Sequence, residues 1–101
     1  MIRFLWDPAK ARSNLRKHGI SFEEACLVFE DPCHLTEQDR VAGDEIRWQT
    51  IGMVGDVLTL LVAHTYEFQD ERLDEEIRII SARRANRREQ QKYHEQWERS
   101  D

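Results

Sequence analysis

The sequence predicts a small α+β domain, an antiparallel sheet with helices packed on one of its faces. Three observations carry that expectation. Apolar residues recur at helical spacing between residues 8 and 30. From residue 45 the period changes to two. The later strand-like runs are joined by short connections, which favour antiparallel neighbours. A chain of 101 residues is most simply one domain, 1–101, with room for a modest core. The expected order is β-α-α-β-β-β-α.

"IRFLW" (2–6) is short, apolar and aromatic and reads as the first strand. Asp7 is a good N-cap, and Pro8 suits the first helical position. A helix follows to about His18, with Gly19 ending it. Ser21 and Glu24 form an S-x-x-E capping box for a second helix. Phe22, Ala25, Cys26, Val28 and Phe29 are its apolar stripe, and Asp31-Pro32 closes it. Residues 33–44 are polar and read as a loop. In "EIRWQTIG" Ile46 and Trp48 face one way, and Glu45, Arg47 and Gln49 face the other. "VLTLLVAHTY" (57–66) is apolar on both faces and reads as a central strand. "EFQDERLDEE" (67–76) reads as an acidic loop, and "IRIISA" (77–82) as a further strand. An arginine-rich helix from about 84 to 98 ends the chain. Trp6 and Trp48 read as core. Trp97 packs on the body or meets a partner.

The net charge of −5 conceals segregation. Residues 1–20 carry net +4, residues 21–76 net −12, and residues 77–101 net +3. If the two ends meet in the fold, they form a basic face on an acidic body, suited to a polyanion. The alternative is that each arginine is solvated or paired with a nearby glutamate. Arg83, Arg84, Arg87 and Arg88 fall within six positions. Read as helical, they oppose the positive helix N-terminus and repel one another at i,i+4. An arriving polyanion or acidic partner would relieve that cost.

Cys26 and Cys33 fit no common zinc spacing, and the four histidines are scattered, so no metal is expected. The cysteines read as two reduced thiols. Apolar runs fall short of the ~20 residues needed to span a bilayer, and "MIRFLWDPAK" lacks the apolar core of a signal peptide. A cytoplasmic location is the expectation.

Taken together, "FLWDPAKARSNLRKHGISFEEACLVFEDP", "EIRWQTIG" and "EIRIISARRANRREQQKYHE" resemble the BrnT family of small toxins over nearly the whole chain. That resemblance implies a RelE-like fold and a ribonuclease of a type II toxin–antitoxin pair that inhibits translation. It implies a BrnA-like antitoxin as protein partner in a hetero-oligomer, with operator DNA reached only through that antitoxin. No cofactor is implied. The stretch 67–76 departs from the family pattern, being longer and more acidic than the turn expected there. It is a variable surface loop, or it modulates RNA or partner binding.

Metal-free RNA cleavage needs a base near the 2′-hydroxyl, cations around the phosphate and an acid for the leaving 5′-oxygen. Arg83 is the first candidate for the scissile phosphate, because its planar fork matches phosphate geometry. Arg47 and Arg78 are next; Arg78 pairing with Glu76 or Glu45 is the alternative. His18 is an acid/base candidate by its intrinsic pKa, or else a helix-end residue. Lys17 binds phosphate or ends the helix. Glu89 and Tyr93 share a face of the last helix, as acid/base groups or as core and partner contacts. Arg84, Arg87, Arg88 and Lys92 supply a general field for RNA or bind the antitoxin. His64, at the end of a buried strand, reads as structural. A non-catalytic homologue that acts as co-repressor is the competing function.

Overall fold

The computed structural model describes residues 2–69 and 74–99. Strand β1 (Ile2–Leu5) is followed by helices α1 (Pro8–His18) and α2 (Phe22–Cys26), and by a 3-10 turn at Leu27–Glu30. Strands β2 (Leu35–Ala42), β3 (Glu45–Val54), β4 (Leu58–Gln69) and β5 (Asp74–Arg84) come next, and helix α3 (Arg87–Arg99) ends the chain. The sheet order is β1-β5-β4-β3-β2.

The local signals of the first third act as expected. The Asp7 carboxylate accepts from the Ala9 N–H, Pro8 opens α1, and Gly19 takes φ 69° beyond its end. Ser21 and Glu24 close a reciprocal capping box on α2. The main core is Phe22, Ala25 and Val28 from the helical layer against Leu60, Val62, Ile77, Ile79 and Ala82 of the sheet. The helical layer lies directly on β3. A Cβ added at Gly52 would come within 2.8 Å of Val28 Cγ1 and 2.9 Å of its carbonyl oxygen. Trp6 and Trp48 are half-buried and stack edge-on against Phe22 and Tyr66. The Trp97 side chain lies outside the described residues.

The α+β class holds, and four details of the expected order are corrected. Residues 33–44 are not a loop: Leu35–Ala42 form β2, paired along β3 from Leu35↔Ile51 to Ala42↔Glu45. The sheet is mixed, because β1 runs parallel to β5. The stretch 67–76 is mostly strand, with Glu67↔Glu76, Phe68↔Glu75 and Gln69↔Asp74 paired; residues 70–73 lie outside the described residues. Arg83 and Arg84 end β5 rather than begin a helix, so they are not helical neighbours of Arg87 and Arg88.

The helices also divide between the two faces. Leu60 and Val62 lie in the core with α2, whereas Leu61 lies in a second cluster with Ile51, Ala85 and Tyr93 of α3. Successive strand residues point to opposite faces, so α3 covers the face that α1 and α2 leave open. The basic ends do meet: β1 pairs with β5, and α1 packs on β5. Among the described residues no helix is long and apolar enough to cross a membrane.

Candidate RNA-binding face and active site

The face bearing α3 can be read row by row from the strand register. Leu35, Ile51, Leu61 and Arg83 are cross-strand partners and form one row. Glu37, Gln49, Ala63 and Ser81 form the next, two residues along each strand. Two residues of strand are about 7 Å. Beyond the irregularities after Gln38 and Ala63 come Arg40, paired with Arg47, and Thr65, paired with Arg78. Since Trp48 pairs with His64, Arg47 lies opposite Thr65. Arginines thus punctuate this face from Arg83 at one end to Arg47 and Arg78 further along.

Arg83 and Glu89 are joined by a two-pronged ion pair. Nη1 donates to Oε1 and Nη2 to Oε2, each at 2.8 Å. Glu89 is placed by a second capping box, which the sequence contains as N-x-x-E. Its backbone N–H donates to Asn86 Oδ1, and the Asn86 N–H donates to Glu89 Oε1, both at 2.8 Å. The Arg83 side chain is 39% exposed and that of Glu89 18%, so the pair is sheltered and still reachable. Hydrogen bonds from Arg83 hold the Glu89 carboxyl below its ordinary range against the opposing effect of burial, with the Asn86 N–H assisting. Glu89 is therefore an ionised acceptor beside a cation. The guanidinium has five N–H donors. Glu89 and the Arg84 carbonyl engage three of them, leaving two for a substrate oxygen.

The other candidates separate into distinct places. Arg78 donates to both oxygens of Glu67, at 2.7 and 3.2 Å. The partner is thus neither Glu76 nor Glu45; Glu76 pairs with Arg3 at 2.6 Å. Arg47 has a buried Nε with no hydrogen bond. Lys92 pairs with Glu37 at 2.7 Å. Tyr93 is 4% exposed, and its hydroxyl donates to Asp31 Oδ2. Burial first, and then the Asp31 carboxylate, raise its pKa, so Tyr93 is a packed anchor of α3. Arg84, Arg87 and Arg88 are exposed around the start of α3. Lys17 and His18 line a groove between α1 and Ile80–Ser81 that includes neither Arg83 nor Glu89. Ser81 is in the row next to Arg83, so this groove borders the same face.

Three residues that the sequence did not mark as part of the site hold this arrangement. Asn14 bonds α1 to β5 at Ala82. Asp31 gathers β3 and α3. Asn86 caps α3. Only Asn86 had a local signal, its spacing to Glu89.

His64 lies inside β4 rather than at the end of a strand, and its Nδ1 is buried without a hydrogen bond among the described residues. The residue is fully buried, its Nε2 lies 2.7 Å from Thr50 Oγ1, and Phe29 and Tyr66 stand edge-on to its ring. Burial lowers its pKa from 6.5 to about 4. As pH falls, the unfolded chain takes up this proton before the folded one does, so acid destabilises the fold. Between pH 8 and pH 5 the expected loss from His64 is about 2 kcal/mol. Urea unfolding at the two pH values checks this, and in His64→Phe that part of the pH dependence should vanish.

Comparison with known proteins identifies the family. The model of a family described as "Ribonuclease toxin, BrnT, of type II toxin-antitoxin system" matches residues 6–89. No curated protein matches the chain closely enough to be counted a relative. A solved structure, the 1.1 Å crystal structure of the Brucella abortus ribonuclease toxin BrnT, superposes with a TM-score of 0.59 at 20% identity. The match covers 86% of this chain and 100% of that one, and shows that the two share a fold. Because the family match spans most of its length, the chain belongs to the BrnT family of ribonuclease toxins of type II toxin–antitoxin systems.

Proposed function

We propose that this toxin cleaves RNA without a metal ion, on the sheet face that carries Arg83, Arg47 and Arg78. The observation that carries the reading is the sheltered, ionised Arg83–Glu89 pair at the β5–α3 junction. Glu89 takes the proton of a 2′-hydroxyl as that oxygen attacks the adjacent phosphorus. The free donors of Arg83 bind the non-bridging oxygens, where charge develops. The bond to the 5′-oxygen breaks, and the departing oxygen takes a proton from water. The products are a 2′,3′-cyclic phosphate and a 5′-hydroxyl.

The remaining candidates take other parts. Arg47 and Arg78 bind flanking phosphates, and Arg84, Arg87 and Arg88 supply field around the first turn of α3. Lys92 and Tyr93 hold α3 in place. Lys17 and His18 contact RNA beside the reacting phosphate. Cleavage inhibits translation in the cytoplasm. As a type II toxin the chain has an antitoxin partner. A BrnA-like protein fills that role in a hetero-oligomer, through which the toxin reaches operator DNA.

A second reading, a non-catalytic co-repressor, draws on the partners of the polar side chains. Tyr93 and Lys92 are engaged by Asp31 and Glu37, and part of the Arg83 fork by Glu89. Cleavage of a defined RNA in excess EDTA separates the two. The wild type should leave 2′,3′-cyclic ends, and Glu89→Gln and Arg83→Lys should each fall by roughly 10²–10⁴-fold while still folding. Intact RNA in that assay, and again with translating ribosomes, would select the co-repressor.

A further inference from the structure

The groove between α1 and β5 is lined by Lys10, Ser13, Asn14, Lys17, His18, Ile80 and Ser81, with no carboxylate. Lys10, Ser13 and Lys17 are at i, i+3 and i+7 of α1 and so share one helical face. Beneath them the Asn14 amide is engaged by backbone groups and forms a neutral floor.

Among the described residues the lysines of this groove belong, with Arg12, Arg16, Arg84, Arg87 and Arg88, to the basic side chains that no carboxylate neutralises. Arg3, Arg78, Arg83 and Lys92 each have a carboxylate partner. Lys10 and Lys17 are exposed and have no ion pair among the described residues. Lys17 suits the negative end of α1, but Lys10 does not. It occupies the first turn, where the helix carries partial positive charge and where α1 has no acid. The Asp7 carboxylate at the N-cap accepts from the Ala9 N–H and forms no ion pair with Lys10, so the Lys10 ammonium is left for another anion.

From these observations we infer that the α1–β5 groove is a phosphate subsite. It holds the sugar–phosphate backbone of a nucleotide next to the cleaved one, through Lys10, Lys17, Ser13 and Ser81. Its volume of about 260 Å³ suits a ribose phosphate and falls below the ~300–1,000 Å³ of pockets that engulf drug-sized ligands. Ser81 and Arg83 are two residues apart on β5, about 7 Å, a step comparable with that between successive nucleotides of an extended strand. Single-stranded RNA would thus run beside β5, from the Arg83–Glu89 pair onto the basic flank of α1. The inference rests on the ribonuclease reading for its ligand but is read out by binding.

The test measures affinity for a single-stranded RNA oligonucleotide against salt, in a Glu89→Gln background that suppresses cleavage. Lys10→Ala/Lys17→Ala is compared with Arg12→Ala/Arg16→Ala, a pair outside the groove. Two lost phosphate contacts should reduce the slope of log K against log salt by about 1.4 and weaken binding roughly tenfold. An unchanged slope, or equal losses in both pairs, overturns the subsite. RNA bound through Lys10 and Lys17 but never cut by the wild type leaves the subsite standing and removes the proposed reaction. RNA cut normally by the double variant with unchanged KM leaves the reaction and removes the subsite.

Discussion

Asn14→Ala should lower the stability of the fold by about 3–5 kcal/mol, since each buried polar group left unpaired costs roughly 1–3 kcal/mol. Asn14 is 5% exposed and makes three bonds to backbone. Nδ2 donates to the carbonyls of Ala82 at 2.8 Å and Ile20 at 2.9 Å, and Oδ1 accepts from the Ala82 N–H at 3.0 Å. The register shows why the amide is needed. β1 pairs with β5 only from Glu75 to Arg78, so Ala82 has no strand on its outer side. The primary amide of Asn14 presents the donor and acceptor that such a strand would offer. Urea unfolding followed by tryptophan fluorescence measures the loss, and Asn14→Asp supplies the control. At neutral pH its carboxylate faces two carbonyl oxygens and should be no better than alanine. As pH falls and that carboxyl takes up a proton, Asn14→Asp should recover relative to Asn14→Ala. Equal stability of wild type and Asn14→Ala would mean that water replaces the amide at no cost.

Asp31→Ala should cost about 3 kcal/mol, because a carboxylate that accepts three half-buried hydrogen bonds is among the stronger hydrogen-bonding groups. Its oxygens accept from the N–H groups of Cys33 and Met53, each at 2.9 Å, and from the Tyr93 hydroxyl. Burial alone would raise its pKa, but the bonds from Met53, Tyr93 and Cys33 outweigh it and hold the group low. Its contribution is therefore present at neutral pH and is lost as pH falls through that depressed value. Gln96, which donates to the Cys33 carbonyl, and Lys92, which pairs with Glu37, attach α3 to the same region. Tyr93→Phe should cost about 1–2 kcal/mol, and combined with Asp31→Ala it should show a coupling of about 1–2 kcal/mol. Amide exchange should accelerate in α3 first, and RNA cleavage should fall with it, since Glu89 is carried on that helix. Strict additivity would mean that Asp31 acts on β3 alone.

Much of the first third was legible because its signals are local. Asp7-Pro8, Gly19 and the Ser21–Glu24 box each act within four residues. β2 was illegible because its strand character comes from pairing with β3. Its residues, LTEQDRVA, are mostly half-buried or exposed and show no apolar alternation. The acidic run 67–76 read as a loop for the same reason, since Glu67 and Glu76 face each other across β4 and β5. Arg83 and Glu89 were both picked out, but their union was hidden. The sequence put the junction at Arg83 and the helix from about residue 84, whereas β5 runs to Arg84 and the break at Ala85–Asn86 lets Arg83 meet Glu89. Asp31 and Tyr93 are 62 residues apart, and no local pattern joins them.

The parallel pairing of β1 with β5 bears on the order in which this toxin is made. Ile2 finds its partner at Glu75, and the groups proposed for cleavage lie later still, at Arg83 and Glu89. The edge of the sheet cannot close, nor the ion pair form, while the ribosome still holds those residues. Closure across so many residues is also an intrinsically slow step. On the reaction proposed above, activity therefore arises only once β5 and α3 have been made and docked, and a nascent chain short of them does not cut RNA.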